Sequence, residues 1–214
     1  RNITSLILPK SLTEIGAYAF YQCDGIKGTL TIDEGIVSIG SSAFYGCSGI
    51  IKVQFNAISC EAMGGSKSKT VFGDCRNLHT VAFGNQVKRI PDYAFSGMTH
   101  LQLDSELPRD LEYIGEYAFA YCINLTQTLT IPSGVTIIGP YAFAHCNSIK
   151  TLTIPKDIKS IRQYAFYNCS QLAQITILAF YPPDLADGVF TNVSSSATYS
   201  IPCIGLQRYQ KSEE

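Results

Sequence analysis

The stretch Leu129-Thr-Ile-Pro-Ser-Gly-Val135-Thr-Ile-Ile138-Gly-Pro-Tyr-Ala-Phe143-Ala-His-Cys146-Asn-Ser-Ile149 decides the fold, because the chain repeats it. Its second half returns as Ile15-Gly-Ala-Tyr-Ala-Phe20-Tyr-Gln-Cys23, Ile39-Gly-Ser-Ser-Ala-Phe44-Tyr-Gly-Cys47, Ile114-Gly-Glu-Tyr-Ala-Phe119-Ala-Tyr-Cys122 and Ile161-Arg-Gln-Tyr-Ala-Phe166-Tyr-Asn-Cys169. Weaker copies centre on Phe72, Phe95 and Phe190. The eight phenylalanines fall at intervals of 24, 28, 23, 24, 24, 23 and 24 residues. A fixed period of this length marks a repeat architecture in which each unit buries its apolar face only against its neighbours.

The first half of the stretch alternates apolar and polar residues. Copies are Leu6-Ile-Leu8-Pro9, Leu30-Thr-Ile32, Val53-Gln-Phe55, Val81-Ala-Phe83, Ser105-Glu-Leu107-Pro108, Leu152-Thr-Ile154-Pro155, Ile175-Thr-Ile177 and Tyr199-Ser-Ile201-Pro202. Period-two alternation with β-branching predicts short, half-buried strands, and the closing Pro stops each one because it has no N–H to donate. An apolar-x-x-Ile ladder (Ile36/Ile39, Val87/Ile90, Val135/Ile138) predicts a second short element in each turn, and Tyr-Ala-Phe-x-x-Cys reads as a short helical or 3₁₀ turn. Stacked turns give parallel strands on one face, and the crossover rule makes the coil right-handed. Phenylalanine is expected in the centre, with Ala in the neighbouring small slot. The polar end Gln-Lys-Ser-Glu-Glu214 suggests a C-terminal cap over about 194–214, within one solenoid spanning 1–214.

Composition narrows the function. Of 214 residues 46% are apolar, which excludes a disordered chain, and the net charge of −1 argues against a nucleic-acid binder or an anionic-membrane binder. The longest apolar run, Ile175–Tyr181, is too short to span a bilayer. Ser and Thr, 36 together, carry much of the solvation that the 15% of charged residues cannot, a balance more typical of exported surfaces. With no initiator Met and no signal peptide at Arg1, the chain reads as a mature fragment.

Six of eight cysteines (Cys23, Cys47, Cys75, Cys122, Cys146, Cys169) fill one slot that Met98 and Val193 take in other repeats. A slot shared with Met and Val wants a small or flexible hydrophobe, so buried thiols are expected rather than disulfides. Cys60 and Cys203 fall outside it, too far apart to pair, and a thiol reagent is expected to label at most these two. His79, His100 and His145 lack partners at ligand spacing, so no metal or other cofactor is expected. No catalytic motif appears, and Asp104 with Glu106 reads as two solvated acids rather than a catalytic pair. Asn124 and Asn168 lie in glycosylation sequons. Tyr18, Tyr93, Tyr117, Tyr141 and Tyr164 recur two residues before Phe and read as packing over the neighbouring turn, hydroxyls wet.

The string Leu-Thr-Ile-Pro-x-x-Val-x-x-Ile-Gly-x-Tyr-Ala-Phe-x-x-Cys-x-x-Ile resembles the BspA-type leucine-rich repeat over residues 5–202. The resemblance implies a leucine-rich-repeat solenoid of about eight repeats, non-enzymatic, extracellular or on the cell surface, and used for adhesion to a host or bacterial surface protein or glycan. Rival readings are a rigid spacer and the targeting domain of a larger secreted enzyme. A monomer with no membrane insertion is expected. The presumed concave sheet presents two outward rows in which eleven of eighteen residues are Ser or Thr. Thr31, Gln54, Glu106, Thr130, Thr153 and Thr176, all from the second row, are the candidate contacts. The stretched third repeat (56–72) inserts Met63-Gly-Gly-Ser-Lys-Ser-Lys-Thr70, so Lys67 and Lys69 form a second candidate.

Overall fold

The computed structural model describes residues 3–64, 66 and 70–202. Its sixteen strands alternate along the chain between two ladders. The odd-numbered strands are two residues long: β1 Glu14–Ile15, β3 Ser38–Ile39, β5 Ala62–Met63, β7 Arg89–Ile90, β9 Tyr113–Ile114, β11 Ile137–Ile138, β13 Ser160–Ile161 and β15 Asp184–Leu185. They are the apolar-x-x-Ile element. The even-numbered strands are β2 Gly28–Ile32, β4 Ile50–Phe55, β6 Thr80–Phe83, β8 Gln102–Leu103, β10 Thr128–Thr130, β12 Thr151–Ile154, β14 Gln174–Ile177 and β16 Thr198–Ser200. Every pairing between described strands is parallel and joins one turn to the next. The protein is a parallel β-solenoid. Leu6–Leu8, expected as the first strand, forms none. Ile7 is 89% exposed, although Leu8 is buried.

The Tyr-Ala-Phe-x-x-Cys segment is not helical, which corrects the expected helical or 3₁₀ turn. Among the described residues there is no helix. Alternate N–H groups point in different directions. Ala118, Ala120 and Cys122 donate to carbonyls three residues back in their own turn, whereas Tyr117, Phe119 and Tyr121 donate to Pro140, Ala142 and Ala144 of the next turn at 2.8–2.9 Å. Reversing the N–H direction within six residues requires left-handed backbone at two points, here Tyr117 (φ 51°) and Tyr121 (φ 63°). The second point recurs as Gln22, Gly46, Asp74, Gly97, His145, Asn168 and Asn192, mostly residue types that tolerate positive φ. The first is usually Tyr, for which the conformation costs about 1–2 kcal/mol. Inter-turn hydrogen bonds and ring stacking offset that cost.

The eight phenylalanines form one stack through the centre. Neighbouring centroids lie 5.1–6.0 Å apart with interplanar angles of 17° or less. Phe55 and Phe83 meet this stack edge-on. The cysteine slot is buried beside it, and all seven described cysteines are free thiols. Each thiol of Cys47, Cys75, Cys122, Cys146 and Cys169 donates to the carbonyl of the preceding turn's Phe (Phe20, Phe44, Phe95, Phe119 and Phe143) at 3.0–3.1 Å. A cysteine there fills the space of a small hydrophobe and also links successive turns with a weak hydrogen bond. Cys60, expected to be reactive, is buried too. Its thiol lies 3.5 Å from the Ala62 carbonyl, where the lengthened third repeat folds inward.

The Ile-Gly slot follows from close approach of the turns. A Cβ on Gly139 would lie 2.7 Å from the Glu116 nitrogen, and one on Gly115 would lie 2.5 Å from that of Asp92. Arg162 occupies the same slot in the seventh repeat, so the approach can open locally. Gly139→Val should therefore destabilise by about 1–3 kcal/mol, the usual cost of overpacking, measured by urea unfolding. No change would show that the turns are looser than this geometry.

Candidate binding face

The even-numbered strands turn one row of side chains inward and leave the other row in solvent. Leu30, Val53, Val81, Leu129, Leu152 and Ile175 are buried at successive register positions. Between them the outward residues align. Thr31 pairs with Gln54 and Gln54 with Ala82; further along, Thr130 pairs with Thr153 and Thr153 with Thr176. Five of the six candidate contacts thus share one row in two groups. Thr31 and Thr130 are exposed, and Gln54, Thr153 and Thr176 are half-buried. The parallel row starts Thr29–Lys52–Thr80 and resumes Thr128–Thr151–Gln174–Thr198. Hydroxyls link across it, Thr151 donating to Thr128 at 3.1 Å.

Glu106 does not join its row. The register pairs Thr80 with Gln102 and Val81 with Leu103, which corrects the expected strand at Ser105–Leu107. One residue separates Val81 from Phe83, but three separate Leu103 from Leu107, whose side chain is again buried. The surplus residues bend outward as Asp104-Ser105-Glu106, all exposed. The sheet divides there: β8 ends one four-stranded sheet and β10 begins another. The core does not divide, since Phe95 still stacks on Phe119 at 5.6 Å and β7 still pairs with β9. Asp104 is held by Lys52, two strands away, at 2.7 Å.

Beside the bend lies an open pocket of about 250 Å³. It is lined by Leu103, which is half-buried, by Leu107 and Leu129, which are almost fully buried, and by Ser105, Glu106, Thr126, Thr128 and Thr130. The signal for it was present in the leucine spacing at Leu103 and Leu107, which alternation alone does not read.

The remaining candidates separate. Lys67 and Lys69 lie outside the described residues, as do Cys203 and most of the expected C-terminal cap. His145 stacks on Tyr121 at 4.4 Å and meets the Asn168 side-chain amide at 2.9 Å, and His79 meets the Thr80 hydroxyl at 2.8 Å. Asn168 is half-buried, so a glycan there would break its histidine contact, whereas Asn124 is exposed with its amide donating to the Thr99 carbonyl. Tyr93, Tyr117, Tyr141 and Tyr164 stack on one another at 4.6–5.2 Å. Their ring faces cover neighbouring turns, as the repeat spacing implied. Tyr93 donates to Glu116 at 3.2 Å, and burial, then the nearby Glu116 charge, push its hydroxyl up to about 12. Among the described residues no three His, Cys, Asp or Glu side chains gather to hold a metal ion, and no helix is long and apolar enough to cross a membrane.

Comparison with known proteins follows the fold. Of solved structures, a leucine-rich repeat protein of T. pallidum is similar over 92% of this chain and 86% of its own, with a TM-score of 0.63 and 22% identity. A leucine-rich repeat protein of Bacteroides ovatus is similar over 91% of this chain and 55% of its own, with a TM-score of 0.55 and 22% identity. At that identity the likeness is one of fold. No curated protein sequence matches. The family model described as the BspA type leucine rich repeat region matches residues 1–126 and 103–207 in six copies. Those spans take in the stacked phenylalanines and both strand ladders, and the chain belongs to the BspA-type leucine-rich-repeat family.

Proposed function

We propose that this chain is a non-enzymatic binding module that adheres to a protein through the outward face of its even-numbered strands, outside the cell or on its surface. The observation that carries the reading is the contrast between the two sides of those strands. The inward side repeats Leu, Ile, Val and Phe. The outward side changes from turn to turn, with Lys52, Thr80, Gln102, Ala82 and Thr153 on a backbone that each neighbouring turn holds in register. A rigid backbone with variable outward residues presents a surface at little ordering cost. The outward rows of the described even-numbered strands carry no Trp, Tyr or Arg, so the face lacks the usual anchors of tight single-site binding. Affinity is therefore expected to be weak per contact and strengthened by multivalency.

The test is binding of the protein, displayed in several copies on a bead, to immobilised extracellular-matrix proteins and glycans. Saturable capture by a defined protein, reduced in the monomeric form, is expected. Capture by glycans alone would move the reading to carbohydrate, and no capture would favour a spacer.

A further inference from the structure

We infer that the pocket at the sheet division takes a basic side chain, lysine in type, from an extended peptide laid across the face; this rests on the binding-face reading above. Its chemistry is divided as such a side chain requires. Half-buried Leu103 offers most of the apolar surface to a four-carbon stem, with Leu107 and Leu129 beside it exposing only 5% and 2%. Glu106 at the lip supplies a carboxylate for the ammonium group, and the hydroxyl oxygens of Ser105, Thr128 and Thr130 supply further acceptors. Lysine buries its stem and keeps its charged head at the water boundary, which is the geometry of an open pocket with an acid rim. The two acids of the bend are not equivalent. Asp104 is neutralised by Lys52 at 2.7 Å, while the salt bridges of the described residues do not include Glu106. The bend thus leaves one uncompensated negative charge, beside the apolar surface, in an otherwise hydroxyl-rich face.

The place in the fold supports the same occupant. Among the described strands none pairs with β10 on its β8 side. A peptide crossing the face there meets an unpaired strand edge together with the pocket, so backbone and side chain can be held at one point.

The experiment is a titration of the ¹⁵N-labelled protein with the peptide acetyl-Gly-Lys-Gly-amide, read by amide chemical shifts, against the same peptide with norleucine for lysine. Saturable shifts centred on Ser105, Leu107, Thr128 and Thr130 are expected with the lysine peptide, weakened at high salt. Glu106→Gln should weaken binding by about fivefold while the melting temperature stays the same. No shift, shifts spread over the whole surface, equal binding of the norleucine peptide, or equal binding by Glu106→Gln would each overturn the assignment. If Glu106→Gln were to unfold, the lysine–norleucine comparison on the unaltered protein decides alone. Because the titration needs no natural partner, a failed pocket with intact capture of matrix protein rejects the pocket and leaves the binding face standing.

Discussion

Phe119→Ala is expected to lose about 3–5 kcal/mol of folding stability, the range for removing a fully buried aromatic ring. Phe119 is 0% exposed and stacks between Phe95 at 5.6 Å and Phe143 at 5.4 Å, with Phe83 edge-on at 6.4 Å. Truncation leaves a void that the turns cannot close without breaking inter-turn hydrogen bonds on both sides, including the Phe119 N–H to Ala142 at 2.8 Å. Phe20 is the contrast, because it has a ring neighbour on one side only and is half-buried. Phe20→Ala should cost clearly less. Urea unfolding monitored by circular dichroism reads both, and a cost below about 1 kcal/mol for Phe119, the level of surface positions, would mean that the stack does not hold the coil together.

Alkali should unfold the protein and release its thiols in one transition. Burial raises the Cys47 thiol from 9.0 to about 11, and raises Cys60, Cys75 and Cys169 to about 12. Burial pushes Cys122 and Cys146 up as well. Below pH 9 both folded and unfolded forms hold these protons, and no stability depends on them. Above it the unfolded chain loses protons that the folded chain keeps, so stability falls as pH rises. Each fully protected thiol contributes a loss of about 1.4 kcal/mol per pH unit until its folded value is reached. With several thiols acting together, unfolding is expected between about pH 9 and 11. At neutral pH a thiol reagent should leave all seven described cysteines unlabelled, and denaturant without reductant should expose every one. A native protein that labels fully at pH 7 would refute the burial of the slot, and one that stays folded at pH 11.5 would refute its protection.

The core was legible because it repeats. Phe recurs eight times at intervals near 24 residues, Ala beside it six times and Ile-Gly before it four times, so chance similarity cannot imitate them. The turn was misread for the opposite reason. Tyr-Ala-Phe-x-x-Cys has helix-like apolar spacing, and the left-handed positions were hidden behind tyrosines, the wrong residue type for that backbone. Only the second position, with its Gly, Asn, Asp and His, shows the rule, and it must be read down the repeats rather than along one. Cys60 was misplaced because the third repeat has an irregular length, which removes the register that identifies a buried slot. Glu106 was placed on a strand because Ser105-Glu-Leu107-Pro108 imitates the Leu-Thr-Ile-Pro of residues 129–132 and 152–155. The neighbouring Leu101-Gln-Leu103 already supplies the inward residue of that strand, and two inward slots four residues apart force the residues between them out of the sheet.

Which surface carries the function can be decided with three proteins and one immobilised matrix partner from the capture screen. The first is unaltered. The second carries Thr153→Arg with Thr176→Arg, register partners on β12 and β14, away from the pocket. The third lacks residues 64–69 of the third repeat. The double-arginine protein should unfold within about 1 kcal/mol of the unaltered one, and the unfolding of the deletion, which loses the Gly64 N–H to Ile39 bond at 2.8 Å, is measured beside it. Surface plasmon resonance is expected to show the double-arginine protein losing capture at least severalfold while the deletion binds as the unaltered protein does. Full capture by the double-arginine protein, with capture lost on deletion of 64–69, would contradict the account and move the binding function to the inserted loop.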